Sequence, residues 1–261
     1  MPDRLHPTVV TFIFATCCVW PAWSHAGELP FRPGERIEME FRYAGLLAGT
    51  GTLRVARAMR GGLPVLQFVA DGRSAGRFAE LLSFRVRDRT RAYWNPESSC
   101  SVGIEKHLRE GRARRDQIVR FDSTTGIAHV EDAKIDETQF VVGPCVLDVL
   151  SALFVTRMRI AEAETLSVPL FDNGKHYALE VRHLRWATLD LPAPLGPGTP
   201  VVVVEPLLAE GTGLFVSKGR LEVWLTADER RIPVRMVAKV PIGSVVATLI
   251  AYEAGEIGEA P

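Results

Sequence analysis

Net charge is absent from this chain: 31 Lys+Arg are matched by 31 Asp+Glu over 261 residues. That balance gives no bulk reason to bind nucleic acid or to lie on a membrane surface. Low-complexity tracts are missing too; at 47% hydrophobic and 24% charged residues the composition is that of an ordinary globule. After residue 26 no apolar run approaches the roughly 20 residues that a membrane-crossing helix needs. No His-x-His, His-Glu-x-x-His or Cys-x-x-Cys spacing occurs among His107, His129, His176, His183 and the later cysteines, so no metal site is expected. His176 and His183 are seven apart, an odd spacing that puts them on opposite faces of any shared strand. A Gly-x-Ser-x-Gly elbow is lacking, and no Ser-x-x-Lys pair sits in a recognisable context, so no catalytic residue and no cofactor is assigned. Gly49-Thr50-Gly51 and Gly211-Thr212-Gly213 resemble pieces of phosphate loops, but neither joins a strand to a helix and both read as turns or kinks.

What is present begins with the leader. Arg4 precedes an apolar stretch that opens with Val9–Ala15 and runs to about Trp23, and Ser24-His25-Ala26 offers small residues where a signal peptidase cuts. A secretory signal peptide is expected over residues 1–26, cleaved near Ala26, with residues 27–261 as one β-rich domain and no spanning helix left. Cys17 and Cys18 leave with it. Cys100 and Cys145 remain, and they either pair, as leftover cysteines in an oxidising compartment often do, or stay as small buried thiols. A bridge over that loop would contribute roughly 3–4 kcal/mol in the chain-entropy model.

The dominant period is two. Ile37, Met39, Phe41 and Tyr43 alternate with Arg36, Glu38, Glu40 and Arg42, which is a strand with one wet face. Further strands follow at turn-separated intervals, resuming from Arg85 to Trp94, over Ser101–Leu108 and from Leu166 to Tyr252. The fold class expected is mainly β, an antiparallel curved sheet or open barrel-like domain. Two segments break the period. Residues 76–82 read as a short helix, and residues 144–158 as the principal one, opened by Pro144 and carrying an apolar stripe of Val146, Leu147, Leu150, Leu153 and Phe154. Residues 131–138 and 192–200 read as loops.

The most unusual local feature is basic. Arg85, Arg87, Arg89 and Arg91 fall on alternate positions, so one strand face would carry four guanidinium groups, continued by Arg109, Arg112, Arg114, Arg115 and Arg120. Such a face suits the phosphate of an anionic envelope component, because guanidinium binds phosphate bidentately. The plainer reading is a solvated sheet face offset by acids such as Glu38 and Glu40.

Several short motifs occur in a fixed order: Phe31-x-Pro33-Gly34-Glu35, Ala48-Gly49, Asp148-x-x-Ser151-x-x-Phe154-x-x-Arg157, and Gly219–Thr226 leading to Asp228 and Arg231-Ile232-Pro233-Val234. Residues 239–249, with Gly243-Ser244-Val245, complete the series. In this order and spacing, over roughly residues 30–253, the chain resembles the DUF3108 family of exported bacterial proteins. The resemblance implies a periplasmic β-rich protein, similar in architecture to half-closed barrels that carry lipoproteins, and it supplies no catalytic residues. Where the family often has Tyr, this chain has Phe154. The leading functional expectation is a non-enzymatic envelope protein enclosing a lipid or other apolar ligand between its curved sheet and the principal helix. The alternative is a structural or interaction protein that presents its arginine-rich face to an envelope partner, and a cryptic hydrolase stands third.

Overall fold

A computed structural model describes residues 29–76, 85–132, 135–161, 164–208, 220–240 and 243–256. The expected leader lies outside these residues, as does all but Gly76 of the short helix expected over 76–82.

Fourteen strands build one antiparallel sheet. The first eight are β1 (Arg36–Tyr43), β2 (Leu46–Arg60), β3 (Leu63–Ser74), β4 (Arg87–Asn95), β5 (Cys100–Glu110), β6 (Ala113–Asp122), β7 (Ile127–Asp132) and β8 (Ile135–Val141). One complete helix is described, α1 (Val149–Arg159). It is followed by β9 (Thr165–Asp172), β10 (Lys175–Leu189), β11 (Thr199–Leu208), β12 (Arg220–Thr226), β13 (Pro233–Val240) and β14 (Gly243–Glu253).

The sheet order is 8-7-6-5-4-3-2-1-14-13-12-11-10-9. Every sequence neighbour is therefore a sheet neighbour within each half, and the two halves join where β1 pairs with β14. The sheet does not close by backbone pairing, yet its two ends meet through side chains. Phe140 of β8 lies 5.5 Å, centroid to centroid, from Phe171 of β9. Buried Lys106 of β5 donates to Asp172 at the end of β9. Arg115 of β6 reaches Asn173 at 3.0 Å. Leu147, just before α1, makes a parallel bridge to Leu170 and so covers part of the β9 edge.

Inside this curl lies the core. Phe31, Phe68, Trp94 and Phe154 form one ring cluster, with Phe68 and Phe154 stacked at 3.8 Å and Phe31 edge-on to Phe154 at 4.9 Å. These rings pack between α1 and strands β3 and β4. A second lobe gathers Ile37, Met39, Val201, Ile232 and Leu249.

The helix differs from its expected form. It starts at Val149, not near Pro144, because residues 145–147 are held extended. Cys145 is bonded to Cys100, Val146 accepts from Ser101, and Leu147 exchanges hydrogen bonds with Pro169 and Phe171. Asp148 then caps the first turn, accepting from the amides of Leu150 and Ser151. Nor is the helix simply amphipathic: Ser151, Thr156 and Arg157 are buried, while Leu150 and Leu153 are only partly so. A helix wrapped by a curled sheet has little wet face, so the apolar stripe could not predict which side was enclosed. Residues 135–138, expected in a loop, instead open β8, since pairing with β7 recruits a polar stretch as an edge strand.

Candidate functional site

On the sheet face turned away from the core, strand register sorts the charged residues into rows. One row runs Glu38, Thr52, Asp71, Arg89, His107 and Asp116, each the cross-strand partner of the next. The row carries both signs, and Arg89 and His107 each have an acid beside them in it. Asp71 accepts from Arg89 at 2.5 Å and from Arg54 at 2.6 Å, and Asp116 takes His107 at 2.8 Å and Arg109 bidentately at 2.6 and 2.8 Å. Burial pushes the Asp71 carboxyl up, but the two guanidinium groups outweigh it and hold the group below its ordinary range. Asp116 is held low by its hydrogen bonds from His107 and Arg109.

The adjacent row is different. Thr50 faces Arg73, Arg73 faces Arg87, and Arg109 faces Arg114. The bridge between Val86 and Glu110 fixes the antiparallel register so that Arg87 lies alongside Arg109. Four arginines on four consecutive strands thus stand in line. Like charges directly opposite each other on a sheet are destabilising. Among the described residues only Arg109 of the row has a carboxylate. Arg73 donates to Thr50 Oγ1 at 3.1 Å and Arg114 to the carbonyls of Gly111 and Ala113, while among the described residues Arg87 and Arg85 have no side-chain partner.

A groove of about 1000 Å³ opens at this row, lined by Arg73, Arg85, Arg87, Arg109 and Arg114 among others, with no described carboxylate in its lining. A second groove of about 930 Å³ adjoins it and shares Arg73, Arg87 and Arg109, but here Asp71, Asp88 and Glu38 temper the charge.

Of the four arginines expected in one strand row, Arg87, Arg89 and Arg91 belong to β4 and Arg85 precedes it, beside the groove. Their acids are Asp71 and Glu105, not Glu38 and Glu40, which pair with Arg36 and Arg42. The structure also separates the four: Arg89 and Arg91 are neutralised, Arg85 and Arg87 are not. Sequence reasoning missed Arg73, because the β3 to β4 register that sets it opposite Arg87 follows no short hairpin. Arg109 and Arg114 were visible as basic residues, and the Gly111 turn between them was the available signal.

Other polar clusters are fully committed to holding the fold. Arg157 is wholly buried and spends its donors on both oxygens of Glu35, each at 2.8 Å, and on the carbonyls of Pro30, Arg230 and Arg231. Its guanidinium also lies over the Phe31 and Phe154 rings. Asp148 receives the hydroxyls of Ser101 and Ser151, each at 2.6 Å, besides its two cap amides; burial pushes its carboxyl up and these donors pull against that. Cys100 and Cys145 form a disulfide with Cα atoms 5.3 Å apart. Among the described residues no three His, Cys, Asp or Glu side chains converge as metal ligands. No described helix is long and apolar enough to cross a membrane.

Fold and face together define a class: an open, curled antiparallel sheet around one buried helix, with a cationic groove on its outer face. The chain belongs to the family described as Protein of unknown function (DUF3108), which matches residues 37–250. The ordered motifs that carry the resemblance meet in space, Glu35 on Arg157 and Phe31 on Phe154. Among solved structures the chain is similar to a beta-barrel-like protein of the domain of unknown function DUF1849 from Brucella abortus, at TM-score 0.58 and 11% identity, covering 86% of this chain and 98% of that one. That likeness is one of fold. The hypothetical protein CT021 from Chlamydia trachomatis aligns at TM-score 0.38 and 8% identity, over 88% of this chain and 91% of its own. No curated protein matches the chain.

Proposed function

We propose that this is a non-enzymatic periplasmic protein that holds an anionic component of the cell envelope in its arginine groove. The observation that carries the reading is the cross-strand row of Arg73, Arg87, Arg109 and Arg114, in which among the described residues only Arg109 has a carboxylate. Guanidinium groups stacked this way repel one another, and an oxyanion bridging them removes the repulsion while accepting paired hydrogen bonds. The aromatic rings packed under α1 favour this outer face over the interior as the place where a lipid would be recognised, by its head and not its chains.

Native mass spectrometry of the chain purified from the periplasm tests the reading. The expected result is an added anionic mass that disappears from a variant with Arg73, Arg87 and Arg114 changed to Ser. An unliganded wild-type chain that also ignores anionic vesicles would overturn it.

A further inference from the structure

We infer that the groove takes an elongated anion carrying two or more phosphate groups in a line, laid across the strands along Arg73, Arg87, Arg109 and Arg114. This deepens the anion-binding reading above and rests on it.

The geometry makes the distinction. Adjacent strands lie about 4.8 Å apart, so a row spanning four of them is roughly 14 Å long. A single phosphate engages one or two guanidinium groups bidentately and would leave the rest of such a row uncompensated. The groove volume of about 1000 Å³ is likewise far larger than one phosphate ion requires. Next to this row, on the same face, Asp71 and Asp116 neutralise Arg89, Arg54, His107 and Arg109. The sheet therefore supplies acids to Arg89 and His107 of one row, while in the next Glu40 pairs with Arg42 and Asp116 reaches only Arg109, which confines the attraction to a line along Arg73, Arg87 and Arg114. Arg109 stays tied to Asp116, so Arg73, Arg87 and Arg114 provide the available donors, with Arg85 at the margin. Arginine suits the task because its planar fork reads phosphate geometry, where a lysine would offer a point charge.

The same chemistry could come from a soluble phosphate chain or from a membrane lipid with a doubly phosphorylated head, so the test has two arms. In the first, calorimetry at fixed ionic strength compares inorganic tripolyphosphate, orthophosphate and citrate, the last a compact anion that controls for charge alone. Tripolyphosphate is expected to bind at least tenfold tighter than either. Changing Arg73 and Arg87 together to Gln should weaken it about tenfold or more, with Arg182→Gln, paired with Glu180 and lining neither groove, leaving it unchanged. In the second arm, flotation compares phosphatidylcholine vesicles doped with a diphosphorylated lipid or with phosphatidylglycerol. Preference for the diphosphorylated lipid supports a membrane source, and tripolyphosphate binding without flotation supports a soluble one.

Equal affinity for tripolyphosphate and orthophosphate, lost in the Arg73/Arg87 variant, would overturn the elongated-phosphate inference while leaving the anion groove standing. Citrate equal to tripolyphosphate, or phosphatidylglycerol equal to the diphosphorylated lipid, would overturn it in the same way. Phosphate binding that ignores the Arg73/Arg87 substitution would remove both. Both side chains project from the sheet face turned away from the core, and an unchanged circular dichroism melt confirms that the variant is folded.

Discussion

Arg157 shows what a charged residue costs when a fold encloses it. Its guanidinium and the Glu35 carboxylate are both out of water, and neither tolerates the loss of the other. Arg157→Met should lower unfolding free energy by about 3–5 kcal/mol in denaturant titration. Pairing it with Glu35→Leu should recover part of that loss, since the lone buried carboxylate is what hurts. Asp71 makes the opposite case, a carboxylate at the surface between two arginines. Its folded-state titration lies below that of the unfolded chain, where an aspartate titrates near 3.9. The stability it contributes is complete above that value and is lost as pH falls through its folded value. Asp71→Asn should therefore make the acid-side fall in Tm from pH 5 to pH 2 shallower, and lower Tm on the neutral side.

At the scale of single elements, α1 depends on one cap. Asp148 satisfies two first-turn amides and two serine hydroxyls at once, and all of these lose their acceptor in Asp148→Ala. A loss of about 2–4 kcal/mol is expected, from a cap of about 1 kcal/mol plus buried hydroxyls left unmet. Asp148→Asn keeps the cap oxygen and should cost less than half as much in the same melts. Period-two alternation made most strands legible, because one face of each is buried: Ile37 and Met39 read directly. Register was not legible. Nothing local sets Arg73 opposite Arg87, since the strands carrying them join through no tight turn. The helix start was misplaced for a similar reason, as Val146 and Leu147 look helical until the strand edge of β9 claims their backbone groups.

At the scale of the whole molecule, the curl is held among the described residues by side chains, by the Leu147–Leu170 bridge and by one covalent link. The Cys100–Cys145 disulfide spans 45 residues and ties β5 to the segment that enters α1. Its reduction, or paired replacement by Ser, should remove roughly 3–4 kcal/mol, read as a lower midpoint in guanidinium. Both cysteines were evident in the sequence; that their Cα atoms come within bridging distance is a property of the curl. The groove is likewise a property of the assembled sheet. Its arginines come from four strands spread over residues 73–114, and the pattern of free and matched charge exists only once those strands lie side by side.

Just ahead of β1 and just after β14 the backbone comes together. Gly34 turns with φ +90 and its amide reaches Val55, while the amide of Glu256 reaches Pro33. A linker that joined the chain ahead of Pro30 to the chain after Glu256 would disturb no strand ladder and would keep Phe31 in the core, and the exposed hairpin at Gly61-Gly62 could then supply new ends. In such a circularly permuted protein the β1–β14 seam would be internal to one continuous thread, and the molecule could be fused to a reporter at a site chosen for convenience instead of inherited from its gene.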